Sequence, residues 1–158
     1  MKRVLIPGSF DPITIGHYDI IKRCALMFDE VYVVVFANTE KKGKGVFTGQ
    51  ECYEMVKTAV KGLDNVIADV TDKLVVDYAK EKGIDVIVKG VRDTIDFEYE
   101  YGMYSINREI GGCDTMFVPA NPEYKFISST FVRDMIKYGR DITPYVPNGV
   151  DEYIKQKK

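Results

Sequence analysis

Apolar residues occur along this chain in two alternating patterns. Short unbroken apolar runs are followed by segments in which apolar residues recur every three or four positions. Val4-Leu5-Ile6 is the first run and predicts a buried strand over residues 3–6. Ile20, Ile21, Cys24, Ala25, Met27 and Phe28 follow at helical spacing, predicting a helix from Gly16 or His17 to Phe28. Val31-Tyr32-Val33-Val34-Val35-Phe36-Ala37 is β-branched and continuous, as in a strand covered on both faces. Beyond a polar loop over residues 38–46, Thr48-Gly49-Gln50-Glu51 has capping-box spacing and starts a helix striped by Met55, Ala59 and Val60. Residues 66–70 form a third strand. Leu74, Val75, Tyr78 and Ala79 mark a third helix, stopped at Gly83. Val86-Ile87-Val88 is the fourth strand and runs out into Lys89-Gly90-Val91-Arg92. A long helix over residues 95–110 ends at Gly111-Gly112, and residues 115–118 form the fifth strand, closed by Pro119. Ser128 or Ser129 caps a helix carrying Phe131, Val132 and Ile136, with Gly139 at its end. Pro144 and Pro147 precede a short last helix from about Val150.

Strands alternating with helices predict an α/β fold: a doubly wound, Rossmann-like, five-stranded parallel sheet with helices on both faces. Right-handed crossovers leave few topologies, and 3-2-1-4-5 is the natural strand order. The chain then reverses direction between strands one and four. Ligands bind outside the carboxyl ends of strands at such a switch point. Those ends are residues 7–11 and 89–92. No repeat or linker divides the sequence, and its 158 residues suit one domain over residues 1–158.

A net charge of −2 argues against general nucleic-acid binding while allowing a local basic pocket. The three cysteines, Cys24, Cys52 and Cys113, are widely spaced and odd in number. They fit neither a disulfide framework nor a zinc site, so a reducing cytoplasmic setting is expected. No apolar run reaches membrane-spanning length and no leader pattern precedes the first strand, so no membrane partner is expected.

The informative stretch is Pro7-Gly8-Ser9-Phe10-Asp11-Pro12-Ile13-Thr14-Ile15-Gly16-His17, between the first strand and the first helix. Unpaired backbone N–H groups and the helix dipole favour a phosphate there. His17, the only histidine, stands at the helix mouth. Lys41, Lys89, Arg92 and Arg133 each lie near a strand end or early in a helix, a set of cations suited to a polyphosphate. Lys42 and Lys44 read as solvated loop charges. Ser128-Ser129-Thr130 serves as a helix cap, a phosphate site, or both. Asp96, Glu98 and Glu100 alternate with aromatics and spread over different helix faces, which makes a metal cluster improbable; one of them could anchor a ribose or a lysine. Gly-x-Ser-x-Gly, Gly-x-x-x-x-Gly-Lys-Ser/Thr and Gly-x-Gly-x-x-Gly are all absent, which excludes the common hydrolase, P-loop and dinucleotide readings.

Thr14-Ile15-Gly16-His17 resembles the His-x-Gly-His motif of the nucleotidyltransferase superfamily, in its Thr-x-Gly-His form. Ile127-Ser128-Ser129-Thr130, with Arg133 behind it, resembles that superfamily's second signature. Pro7 to Pro12, Lys89 to Arg92 and Asp96-Phe97-Glu98-Tyr99-Glu100 together resemble the bacterial phosphopantetheine adenylyltransferase family. The resemblance implies transfer of AMP from ATP to 4′-phosphopantetheine, giving dephospho-coenzyme A and pyrophosphate by direct attack. It implies Mg²⁺ carried with the ATP phosphates and no dedicated protein ligand for it. It also implies a cytoplasmic homohexamer, with coenzyme A as a feedback ligand.

By the same resemblance His17, Lys41 and Lys89 are catalytic, His17 stabilising charge on the α-phosphate. ATP-binding positions are Ser9, Phe10, His17, Gly90, Val91, Arg92, Glu100, Tyr124, Lys125, Phe126, Ile127, Ser128, Ser129 and Thr130. Substrate-binding positions are Ser9, Lys41, Leu74, Val75, Lys89 and Asn107. Three positions depart from the commonest pattern. Ser9 stands for a threonine and Lys89 for an arginine, which keeps the charge but loses the bidentate fork. Cys52 stands where an arginine is common and receives no role. The loop from Lys41 to Val46 is two residues longer than in some relatives, so Lys42 is the alternative to Lys41. Two rival readings share these motifs: a nucleotidyltransferase with another acceptor, such as nicotinamide mononucleotide or glycerol phosphate, and a non-catalytic adenylate sensor.

Overall fold

The structure, a computed structural model, describes residues 1–37 and 46–157. Five parallel strands form one sheet in the order β3-β2-β1-β4-β5, as the sequence predicts. They are β1 (Arg3–Gly8), β2 (Glu30–Phe36), β3 (Val66–Thr71), β4 (Val86–Val91) and β5 (Thr115–Pro119). Connecting and following them are α1 (Ile15–Met27), α2 (Gly49–Val60), α3 (Val75–Glu81), α4 (Thr94–Gly111), α5 (Ser129–Lys137) and α6 (Val150–Gln156). Short 3-10 turns at Pro122–Tyr124 and Thr143–Tyr145 flank α5.

The unbroken apolar runs are explained by cover on both faces. Val4 and Ile6 of β1, Val31, Val33 and Val35 of β2, and Val88 of β4 face one core. There they meet Ile20, Ile21 and Cys24 of α1, Met55 and Val56 of α2, Val132 of α5 and Ile154 of α6. Leu5, Val34 and Ile87 alternate to the other face and pack with Tyr78 and Ala79 of α3. The register Leu5↔Ile87 and Leu5↔Tyr32 aligns these residues across the central strands.

Two boundaries differ from the sequence expectation in ways that matter for the site. β4 continues through Lys89 and Gly90 to Val91, because β5 pairs with it as far as Pro119. Lys89 therefore stands on a rigid strand rather than on a loop, and Arg92 directly follows the strand end. Gly90 also permits close approach of α1: a Cβ there would lie 3.2 Å from Ile20 Cγ1. The second is α4, which runs from Thr94 to Gly111, one residue further at each end than expected, and buries none of its residues fully.

α4 reaches its place through a tight crossing with α3. A Cβ at Gly111 would stand 2.4 Å from Val76 Cβ, closer than side-chain atoms pack. Gly111→Ala is therefore expected to destabilise the protein by about 1–3 kcal/mol, the usual cost of overpacking, despite alanine's better helix propensity. Chemical denaturation checks this; an unchanged or raised midpoint would contradict the crossing.

Candidate active site

The site begins with a helix cap. Thr14, the N-cap of α1, accepts a hydrogen bond from the His17 backbone N–H at 3.3 Å. In return His17 Nδ1 accepts from the Thr14 backbone N–H at 2.9 Å. This is a capping box in which histidine takes the place usually held by Glu or Gln. A backbone amide only donates, so Nδ1 carries no proton. The ring proton of neutral His17 is thereby assigned to Nε2, which has no hydrogen-bond acceptor among the described residues. Burial, then the charges of Arg92 and Lys89, push the His17 pKa down from 6.5 to about 4. At neutral pH the ring is an uncharged N–H donor.

The loop before α1 fixes the other side of the ring. Phe10 adopts φ 47°, an uncommon conformation for a non-glycine residue. Its ring folds back over Gly8, where a Cβ would stand 3.0 Å from a ring carbon. Phe10 then meets the His17 ring edge to face, with centroids 5.1 Å apart. Ile13 and Phe10 are buried, whereas Ser9 is exposed at the loop tip.

The N-terminus of α5 comes alongside. A Cβ at Gly16 would lie 3.7 Å from Tyr124 Cβ and 3.9 Å from the Ile127 carbonyl, so the first turn of α1 touches this segment. Ser128 caps α5 through its Oγ, which accepts from Phe131 N–H at 3.0 Å. Ser129 Oγ donates to the Pro12 carbonyl at 2.8 Å. Two helix N-termini thus meet beside the end of β1, each offering backbone N–H groups and positive dipole. Ile127 is buried, Tyr124 half-buried, and Lys125, Phe126 and Thr130 exposed. Phe126 stacks edgewise on Phe131 and Tyr145.

β4 and the residue just beyond its end contribute the cations, and α4 supplies their partners. Arg92 Nε and Nη2 lie 3.0 and 3.4 Å from Asp96 Oδ2 and Oδ1, and Arg92 N–H donates to Oδ2 at 3.2 Å. Lys89 Nζ lies 3.3 Å from Glu100 Oε2, a charge contact without hydrogen-bond geometry, since Oε2 is buried and makes no hydrogen bond among the described residues. The expectation that the acids of this segment spread over different faces is corrected here. Asp96 and Glu100 are one helical turn apart and share the face turned to β4, whereas Glu98 is exposed. Of the roles left open for these acids, anchoring a lysine fits Glu100. Asp96 instead pairs with Arg92, and its four-residue spacings from Arg92 and from Glu100 are the sequence signal for both contacts.

Other expected residues lie further off. Leu74 is the N-cap of α3 and is 61% exposed. Val75 packs on the core face formed by Leu5 and Val34, and Asn107 is half-buried on the neighbouring α4. Lys41, with Lys42 and Lys44, falls outside the described residues. Cys52 is buried, and its thiol lies 3.8 Å from Asp11 Oδ1. Burial, then Asp11, push its pKa to about 12, so it is an inert packing group. A cavity of about 230 Å³ lined by Val76, Asp85, Gly111 and Cys113 lies toward the opposite ends of the strands.

A cytidylyltransferase-like family model matches residues 5–135. A phosphopantetheine adenylyltransferase from Thermobifida fusca is 42% identical, over 99% of this chain and 94% of its own. One from Corynebacterium diphtheriae is 43% identical, over 99% and 98%. A crystal structure from Vibrio parahaemolyticus, described as a candidate nicotinate-nucleotide adenylyltransferase, superposes with a TM-score of 0.73 at 21% identity, over 99% of this chain and 94% of its own. That likeness bears on the fold alone. Sheet order, the histidine cap and full-length identity above 40% converge: the chain belongs to the cytidylyltransferase-like family, and within it to the phosphopantetheine adenylyltransferases.

Proposed function

We propose that this protein transfers AMP from ATP to 4′-phosphopantetheine, releasing pyrophosphate and giving dephospho-coenzyme A, the penultimate step of coenzyme A synthesis. The observation that carries this reading is the neutral His17, its Nδ1 fixed by the Thr14 amide where the first turn of α1 meets the segment before α5, with Arg92 and Lys89 near enough to help lower its pKa. A phosphate oxygen of phosphopantetheine attacks the α-phosphorus of ATP. The bond from that phosphorus to the bridging oxygen breaks, and its electron pair leaves on pyrophosphate. The nucleophile is already ionised, so no general base is required. The barrier is repulsion between two anions and their alignment, which positioning and fixed donors lower. His17 donates to a non-bridging oxygen of the α-phosphate as charge gathers there.

Lys89 and Arg92 offset phosphate charge, and the N-termini of α1 and α5 offer backbone donors. Ser128 and Thr130 keep hydroxyl protons free to donate, because their oxygens act as acceptors within the protein. Glu100, whose Oε2 is turned to Lys89 while the side chain stays partly open, is assigned to ATP as an acceptor for a ribose hydroxyl. Leu74, Val75 and Asn107 are assigned to the pantetheine arm, and Lys41 or Lys42 to the reacting phosphates. The donors gathered here are cations, hydroxyls and amides, a set that fits phosphate rather than a resident metal. Mg²⁺ enters as part of the ATP substrate and neutralises phosphate charge when bound.

A cytoplasmic setting accords with three free cysteines. The apolar face that α4 leaves exposed, including Ile95, Tyr99, Ile106 and Ile110, supports self-association, and a homohexamer is the proposed assembly. Coenzyme A, which contains the same pantetheine arm, is the proposed feedback ligand.

Incubation with ATP and phosphopantetheine should release pyrophosphate, and dephospho-coenzyme A plus pyrophosphate should yield ATP. Binding of ATP without either conversion would overturn the reading in favour of a sensor. His17→Ala should lower kcat by about 10²–10³-fold, the usual effect of removing one transition-state donor, with little change in KM for ATP. A raised KM at unchanged kcat would remove that role. Light scattering should report six subunits; a monomer at micromolar concentration would contradict the assembly.

A further inference from the structure

Arg133 was expected among the cations of the phosphate crevice, but in the folded protein its fork is engaged elsewhere. Arg133 Nη1 donates to the Asp11 carbonyl at 2.7 Å and Nη2 donates to Thr130 Oγ1 at 3.1 Å. Nη1 also lies 3.9 Å from Asp11 Oδ2. One helical turn earlier, Ser129 gives its hydroxyl proton to the carbonyl of Pro12. Ser129 and Arg133 therefore use one face of α5 to hold two successive carbonyls of the His17 loop. These partners are 117 and 122 residues apart in the chain, so the contact is a tertiary constraint.

Asp11 is held from its other side as well. Its Oδ1 accepts from Phe47 N–H at 3.1 Å and lies beside the Cys52 thiol. Asp11 is buried, and among the described residues Arg133 is the cation within reach of its carboxylate. Asp11 directly follows Phe10, whose ring packs on His17, and Pro12 lies two residues before Thr14, whose amide fixes the His17 tautomer. Both devices that orient the imidazole hang from the segment that α5 grips.

We propose that Ser129 and Arg133 form a clasp that positions His17: they are positioning residues, and neither their hydroxyl nor their guanidinium is a primary phosphate ligand. Ligand contact at Ser129 falls to its backbone N–H, because the hydroxyl proton is already given to Pro12. The kinetic consequence rests on the reaction proposed above; the effect on the histidine does not.

The test uses the full chain with Arg133→Met, Arg133→Lys and Ser129→Ala. His17 is the only histidine, so its ring Cε1–H resonance can be followed in the ligand-free protein without assignment. Loosening the loop admits water, so the His17 pKa should rise from about 4 toward 6.5 in Arg133→Met and Ser129→Ala, and largely recover in Arg133→Lys. In the turnover assay kcat should fall roughly 10–10²-fold for Arg133→Met, as small misplacements of reacting groups do. KM for ATP and the calorimetric affinity for inorganic pyrophosphate should stay within about threefold of wild type, since uniform binding is untouched. An unmoved His17 resonance would overturn the clasp, whether or not pyrophosphate affinity collapses; with such a collapse, Arg133 is a phosphate ligand. If Arg133→Met fails to fold, Ser129→Ala carries the same readings. A displaced histidine in a protein with no transferase activity would sink the proposed reaction and leave the clasp standing.

Discussion

The hydrogen bond from the Thr14 amide to His17 Nδ1 is the constraint on which the rest of the site depends. It settles in one contact which ring nitrogen is an acceptor, which is a donor, and where the donor points. It also reconciles two demands that would otherwise conflict. A phosphate crevice needs cations, and cations repel the second proton of an imidazole. Here Arg92 and Lys89 add to burial in holding His17 neutral, so the charges that attract the substrates also preserve the donor. The sign of the consequence for stability follows. The unfolded chain takes up this proton near pH 6.5 and the folded chain only near pH 4, so His17 lowers stability as pH falls through that window.

Placement of the cations follows a related logic. Lys89 stands on β4 and Arg92 directly follows its end, and Asp96 and Glu100 of α4 steady them. Both pairs are partly open to water, so each is worth little to stability. Their effect is geometric: the carboxylates hold flexible side chains near where phosphates must dock. The planar Arg92 fork is held at both nitrogens, while Lys89 makes a single-point contact. The crossing of α3 and α4 at Gly111 keeps α4, and with it both acids, over the strand.

Much of this architecture was legible in the chain. Unbroken apolar runs in Val31–Phe36 and Val86–Val88 announced strands covered on both faces, and glycines at 83, 111–112 and 139 marked helix ends correctly. A lone histidine at a helix mouth beside a Gly-Ser loop located the crevice. What remained hidden depended on contacts between distant residues or on a misleading local period. Asp96, Glu98 and Glu100 read as a two-residue alternation, which masked the four-residue spacing that turns Asp96 and Glu100 toward β4. The left-handed turn at Phe10 has no local signal, since glycine is the residue expected there. The partnership of Arg133 with Asp11 crosses most of the chain, and the burial of Cys52 beside Asp11 follows only from where α2 docks.

The central claim is a protonation state, and it can be read directly. Long-range proton–nitrogen NMR on the ¹⁵N-labelled protein sees one imidazole. A neutral ring protonated on Nε2 at pH 7, titrating with a midpoint near 4, is the expected result. A ring protonated on Nδ1, or one that titrates near 6.5, would contradict it.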